Sequence, residues 1–160
     1  MITINKSATA DTRTCDFANT SKETLLESSI QHIHDVRAAL DLFRFLIAER
    51  AKYHDLDKIS DIDGFHRDFL TGFKQTEWWD AHRKINRHHL LQPDGVPSDV
   101  NLIDVLDMIA DCVMAGMARS GSVYPLDIPT EVLVRAFQNT VELLNANVAV
   151  ASEGIATSSR

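Results

Sequence analysis

The stretch NLIDVLDMIADCVMAGM, Asn101 to Met117, is apolar around almost its whole helical circumference, and its main exceptions are three aspartates. A helix turns by about 100° per residue, so Asp104, Asp107 and Asp111 fall within a wedge of about 60°. A helix that is apolar nearly all round is normally a buried one. Carboxylates stacked on a buried stripe repel one another, and each costs on the order of several kcal/mol if left unpaired. A cation relieves both problems. The plainer alternative is that the wedge is the one solvated strip of an edge helix.

Upstream, all seven histidines of the chain fall between positions 32 and 89. Neutral imidazole suits Zn, Fe, Ni, Co or Mn, and carboxylates add charge and hardness. His32 lies in line with Val36, Ala39, Leu40 and Phe43, on the apolar side of the first helix, whereas His34 shares the other side with Arg37 and Asp41. His54-Asp55 follows the end of that helix, where adjacent side chains can reach one ion. Lys58, one turn on, can meet a phosphate oxygen or form an i,i+3 ion pair with Asp55. If the helix that carries His82 continues, His82 and His89 are seven apart and share a face with Trp78 and Ile85. His88 and His89 can point together only from an unwound helix end. His66, beside Arg67 and Asp68, reads as a surface residue.

The remaining pattern is helical too. Ser21 or Thr20 can cap a helix running to about Ala51, with Ile33, Val36, Leu40, Phe43, Leu46 and Ile47 recurring at three and four. Further helices are expected over 63–73 and 76–86, then a turn over Gln92–Pro97. The acidic helix should start at Ser98 or Asp99 and reach Ser120. A last amphipathic helix is expected over 129–150, with Val132, Leu133, Phe137, Val141, Leu144 and Val148 inward. Strand signals are nearly absent, so the expected class is all-α, one domain of about five to six helices. Residues 1–20 read as a poorly ordered leader, 21–151 as the helical domain and 152–160 as a flexible tail.

The chain has 160 residues, enough for one domain with a core. It is 24% charged and 44% hydrophobic, as in ordinary soluble proteins. No apolar run approaches the roughly 20 residues of a membrane span, and no signal-peptide pattern opens the chain. Two cysteines, Cys15 in a polar leader and Cys112 in a helix, do not suggest a disulfide framework, so a cytoplasmic location is expected. A net charge of -7 argues against binding a nucleic-acid duplex. A small nucleotide remains compatible, because a bound metal can reverse the local sign. The last helix packs on the core in this reading and can contribute to a homodimer.

The ordered set His32, His54-Asp55 and a later aspartate resembles the HD-domain metal-dependent phosphohydrolase superfamily. His32 followed by Val36 is similar to the HxxxV that opens the HD helix. Tyr53-His54-Asp55-Leu56-Asp57-Lys58 looks like the family's apolar-His-Asp-apolar-Gly-Lys, with Asp57 in place of glycine. Ile109 to Val113 is similar to the closing helix that donates the last aspartate. The run from His82 to His89, followed by Asp104 to Asp111, resembles a group of small phage-associated proteins that look like divergent HD members; a phage-encoded chain would act in the host cytoplasm. The resemblance spans roughly Ile30 to Ala118.

It implies an HD-like helical domain in which His32, His54, Asp55 and Asp111 bind a divalent metal (Mn, Fe, Co, Ni, Zn or Mg). Asp107 shares the stripe with Asp111 as an alternative ligand. Two-metal members add histidines, for which His82, His88 and His89 are candidates, although in those members the single histidine and the pair lie further apart. The implied activity is hydrolysis of a nucleotide or other small phosphate ester by metal-activated water. Asp107 or a nearby histidine would orient the water and Lys58 would hold a phosphate. Trp78 or Trp79 can stack a base or pack in the core. Two other classes compete: a non-catalytic helical module that binds a metal or nucleotide, and a dinuclear-iron oxygen-handling protein on a helical scaffold.

Overall fold

The acidic helix begins at a built cap. In the computed structural model, which describes residues 1–74, 77–123 and 125–151, the Asn101 side chain accepts the backbone N–H groups of Ile103 and Asp104, and the Asp104 carboxylate accepts that of Asn101. This reciprocal capping box satisfies donors that a helix start leaves orphaned, and it sets the start at Leu102 rather than at Ser98 or Asp99. The helix ends at Ser120, where Gly121 adopts a left-handed φ of 68° that glycine tolerates without a Cβ clash.

The element order is β1 (Ile2–Asn5), α1 (Lys22–Tyr53), α2 (Leu56–Ser60), α3 (Ile62–Leu70), α4 (Trp78–Ile85), α5 (Leu102–Ser120), α6 (Thr130–Ala146) and β2 (Val148–Ala151). The class is all-α, with one short strand pair. No helix among the described residues is long and apolar enough to cross a membrane. Two compact units are present, one of residues 45–141 and one of residues 1–44 with the described residues from Glu142 onward.

In the unit of residues 45–141 the core is Leu90, Val100, Val105, Met108, Val132 and Ala136. Helix α6 holds the start of α5 through polar contacts: the Thr140 hydroxyl accepts the Leu102 N–H at 2.8 Å, and the Asn139 amide donates to the Val100 carbonyl at 2.8 Å. The buried face of α6 is therefore Val132, Ala136 and Thr140, spaced by four. Leu133, Phe137 and Val141, expected inward, are exposed.

Helix α4 is positioned from α3. Its own preceding residue, Glu77, makes no side-chain cap; instead the fully buried Asp68 accepts the Trp79 N–H at 2.8 Å. Asp61 caps α3 by accepting the Gly64 N–H at 3.0 Å and also takes the Trp78 indole N–H at 2.9 Å. A Cβ at Gly64 would lie 2.2 Å from the Asp61 carboxylate, so this corner needs glycine. The expected helix over 63–73 stops at Leu70, because Gly72 and Phe73 turn to positive φ. The expected start of the next helix at Thr76 lies outside the described residues, as does the tail 152–160.

The other unit corrects two expectations. The leader is not featureless: Ile2–Asn5 pairs in parallel with Val148–Ala151, and Cys15 is buried beside Ser28. Accordingly, α6 stops at Ala146 and the chain turns into a strand, not into further helix. Four-residue strands carry too little periodicity to be read locally. Cys15 and Cys112 are both free thiols. Along α1, Ser28 is the one buried residue; Ile33, Val36, Leu40 and Ile47, expected inward, are exposed.

Candidate metal centre

Where α1 ends, His54 and Asp55 form the corner into α2. Asp55 has a φ of 53°, a left-handed conformation uncommon for a residue with a Cβ. It is held there by the Asn86 side chain, whose carbonyl accepts the Asp55 N–H at 3.1 Å. Although Asp55 precedes α2, its carboxylate makes no cap contact and is turned to other partners. Oδ2 pairs with Lys58, while Oδ1 lies 3.5 Å from both His82 Nε2 and His88 Nε2.

Two imidazoles are each held at Nδ1 by a carboxylate. His54 Nδ1 is 2.8 Å from Asp107 Oδ1, and His82 Nδ1 is 2.8 Å from Asp57 Oδ2. Such a pairing fixes the ring and its tautomer, leaving Nε2 as a lone-pair donor. The Nε2 of His54 faces Asp55 Oδ2 at 3.7 Å and Asp111 Oδ1 at 3.8 Å. The Nε2 of His82 faces His89 Nε2 at 2.9 Å.

Two sets of three ligand atoms converge, each set lying within 4.8 Å: His54, Asp55 and His88, and Asp55, His82 and His89. Asp55 belongs to both. The fit to a cation rests on orphaned atoms. Asp55 Oδ1, Asp107 Oδ2 and both nitrogens of His88 are buried without a formed hydrogen bond among the described residues, with His88 Nδ1 3.4 Å from Asp107 Oδ2 and His88 Nε2 3.5 Å from Asp55 Oδ1. Buried polar atoms are rarely left so, and a divalent ion at the convergence point would serve carboxylate and imidazole together.

The electrostatics suit deprotonated ligands. Burial pushes the His89 imidazole down to about 4, helped by its neighbours His88 and His82. His82 is also lowered by burial, against the opposing pull of Asp57; it lies between the rings of Trp78 and Trp79, at centroid distances of 5.1 and 5.0 Å. Burial would raise Asp55 and Asp107. It is outweighed by Lys58 for Asp55, and by His88 and His54 for Asp107, so both carboxyls sit below the usual range. Neutral imidazoles and ionised carboxylates are the metal-binding forms.

The expected site residues divide clearly. His54, Asp55, His82, His88 and His89 converge. Asp111, half-exposed, stands outside both ligand sets but 3.8 Å from His54. Asp107 holds His54 through Oδ1, and its Oδ2 faces His88 Nδ1 at 3.4 Å. Lys58 is engaged with Asp55, the ion-pair alternative, so it is not a free phosphate clamp. His32 does not belong: it is exposed and lies in α1 itself. It stands outside both ligand sets. His34 and His66 are exposed, as expected. Asp104 leaves the stripe's chemistry altogether. It is fully buried and bound by Arg87 at 2.9 and 2.8 Å and by Arg50 at 3.1 Å.

Sequence reasoning missed Asn86 and the role of Asp57. The available signal was the i,i+4 spacing of His82 and Asn86, which puts both on one face.

Beside the ligand sets opens a cavity of about 440 Å³, bordered by Trp79, Arg83, His88, His89, Met108 and Asp111 among others. The Gln92–Gly95 turn lies against His89, and a Cβ at Gly95 would meet the His89 carbonyl oxygen at 2.4 Å. Arg83 spans Asp80 and Asp94, at 2.6 and 2.7 Å. No known family model, curated protein or solved structure matches this chain.

Proposed function

We propose that this chain is a metal-dependent phosphohydrolase acting on a nucleotide or another small phosphate ester. The observation that carries this reading is the sharing of Asp55 between two convergent ligand sets, with Asp55 Oδ1 and both nitrogens of His88 buried there without a hydrogen bond. The resemblance of His54-Asp55 and the acidic helix to the HD superfamily points the same way. His54, Asp55 and His88 would hold one divalent ion, and Asp55, His82 and His89 a second. Such ions, when bound, lower the pKa of a coordinated water and polarise a phosphoryl oxygen.

The protein's own groups supply the rest. Asp107 and Asp57 keep their imidazoles in one orientation. Asp111, next to His54 and open to the cavity, is placed to take a proton from an attacking water. The cavity volume lies in the range of small-molecule sites. Trp79 gives it a flat wall for a ring.

The test is release of phosphate or pyrophosphate from a panel of nucleoside mono-, di- and triphosphates and a generic aryl phosphate, with Mn²⁺, Co²⁺, Mg²⁺ or Zn²⁺. The expected result is turnover that needs a metal and falls at least about 100-fold in His54→Ala. Metal-loaded protein that turns over nothing in the panel would overturn the reading.

A further inference from the structure

Asp57 stands where the HD-like pattern has glycine, and it is not a spare carboxylate. Both of its oxygens are engaged inside the protein: Oδ2 with His82 Nδ1 at 2.8 Å, Oδ1 with the Asn86 amide at 2.9 Å. Asn86, 6% exposed, uses every polar atom it has. Its nitrogen donates to Asp57 Oδ1 and to the His82 carbonyl at 3.2 Å, and its oxygen accepts from the Asp55 backbone. The close approach of the Asn86 nitrogen to His82 Nδ1, 3.0 Å, follows from both facing the same carboxylate.

An ionised Asp57 at 2.8 Å requires the His82 proton on Nδ1, since a lone pair there would face a negative oxygen. With Nδ1 protonated, His82 presents the Nε2 lone pair to Asp55 and His89. The chain thus contains a clasp of two non-ligands between the α1–α2 corner and α4.

We infer that Asp57 and Asn86 are positioning residues for the second ion: Asp57 fixes the ring and tautomer of His82, and Asn86 ties that arrangement to the left-handed turn that presents Asp55. The inference rests on the metal reading above but not on the reaction assigned to it. Its consequence is separable control. Asp57 serves the Asp55–His82–His89 position alone, whereas Asn86, through the Asp55 backbone, serves both.

The experiment is calorimetric titration of the full chain with Mn²⁺ and with Co²⁺, with circular dichroism of each sample. Wild type should take up about two ions per chain, one for each ligand set. Asp57→Asn places an amide N–H₂ against that of Asn86. It should weaken one ion by about 10–100-fold, as loss of a ligand's hydrogen-bond partner does, and leave the other within about twofold. Asn86→Ser should weaken both. Retention of one unchanged ion in Asp57→Asn is itself proof that the variant folds. Equal affinities for both ions in Asp57→Asn and wild type, or equal weakening of both in Asp57→Asn, would overturn the inference. A wild type that binds fewer than two ions would overturn it as well. Two ions bound with the expected Asp57→Asn loss, but no phosphate released from any substrate, would overturn the phosphohydrolase reading and leave this inference standing.

Discussion

The first two turns of α5 carry the same chemistry to opposite ends. Asp104 and Asp107 are three residues apart, both well buried, and indistinguishable in the pattern that points to them. Yet Asp104 receives two guanidinium groups and caps its own helix, while Asp107 has one oxygen on His54 and the other 3.4 Å from His88 Nδ1 without a formed hydrogen bond. A buried carboxylate with all its partners present serves the fold. One left open among imidazoles is available to a cation. The number of unmet partners, not burial or helical phase, separates the two roles.

That contrast can be broken most forcefully at Asp104. Asp104→Ala strands Arg87 and Arg50 and removes the capping box, so it should cost about 3–5 kcal/mol of stability, the usual penalty for breaking a buried ion pair. Urea denaturation would measure it, and a change below about 1 kcal/mol would remove the distinction from Asp107.

Asp107→Asn should behave in the opposite way. The amide oxygen still accepts from His54, so the denaturation midpoint should move little. Affinity for the ion at His54, Asp55 and His88 should fall by about 10–100-fold. Unchanged metal titration would show that the open oxygen of Asp107 has no bearing on the centre.

The smallest effect sharpens the contrast by setting the centre against α1, where apolar side chains are the exposed ones. Leu40 is 59% exposed, and Leu40→Ser should change stability by no more than about 0.5 kcal/mol. A larger, concentration-dependent loss would mean that this face is covered by a second copy in solution.

Much of the site could be read from the residues. The helical run around Asp107 and Asp111 and the His54-Asp55 doublet at a helix end express short-range periodicity, whereas His89 lies beyond the end of α4 and meets His82 without sharing a helical face. The hydrogen-bond partners were less accessible. Lys58 and Asp104 carry charges that suit a phosphate or a metal equally well, and only their neighbours show that Asp55, Arg87 and Arg50 have claimed them. Asn86 carries no charge and no motif; its importance lies in three contacts made at once.

The sequence by itself determined the helices, the breaks between them and the residue types that a divalent ion requires, because capping, turn chemistry and the 3.6-residue period act over a few positions. Tertiary structure alone decided which of seven histidines and several aspartates meet. Convergence depends on distances of a few ångströms between segments some thirty positions apart, and on a left-handed turn at Asp55 that the distant Asn86 side chain holds.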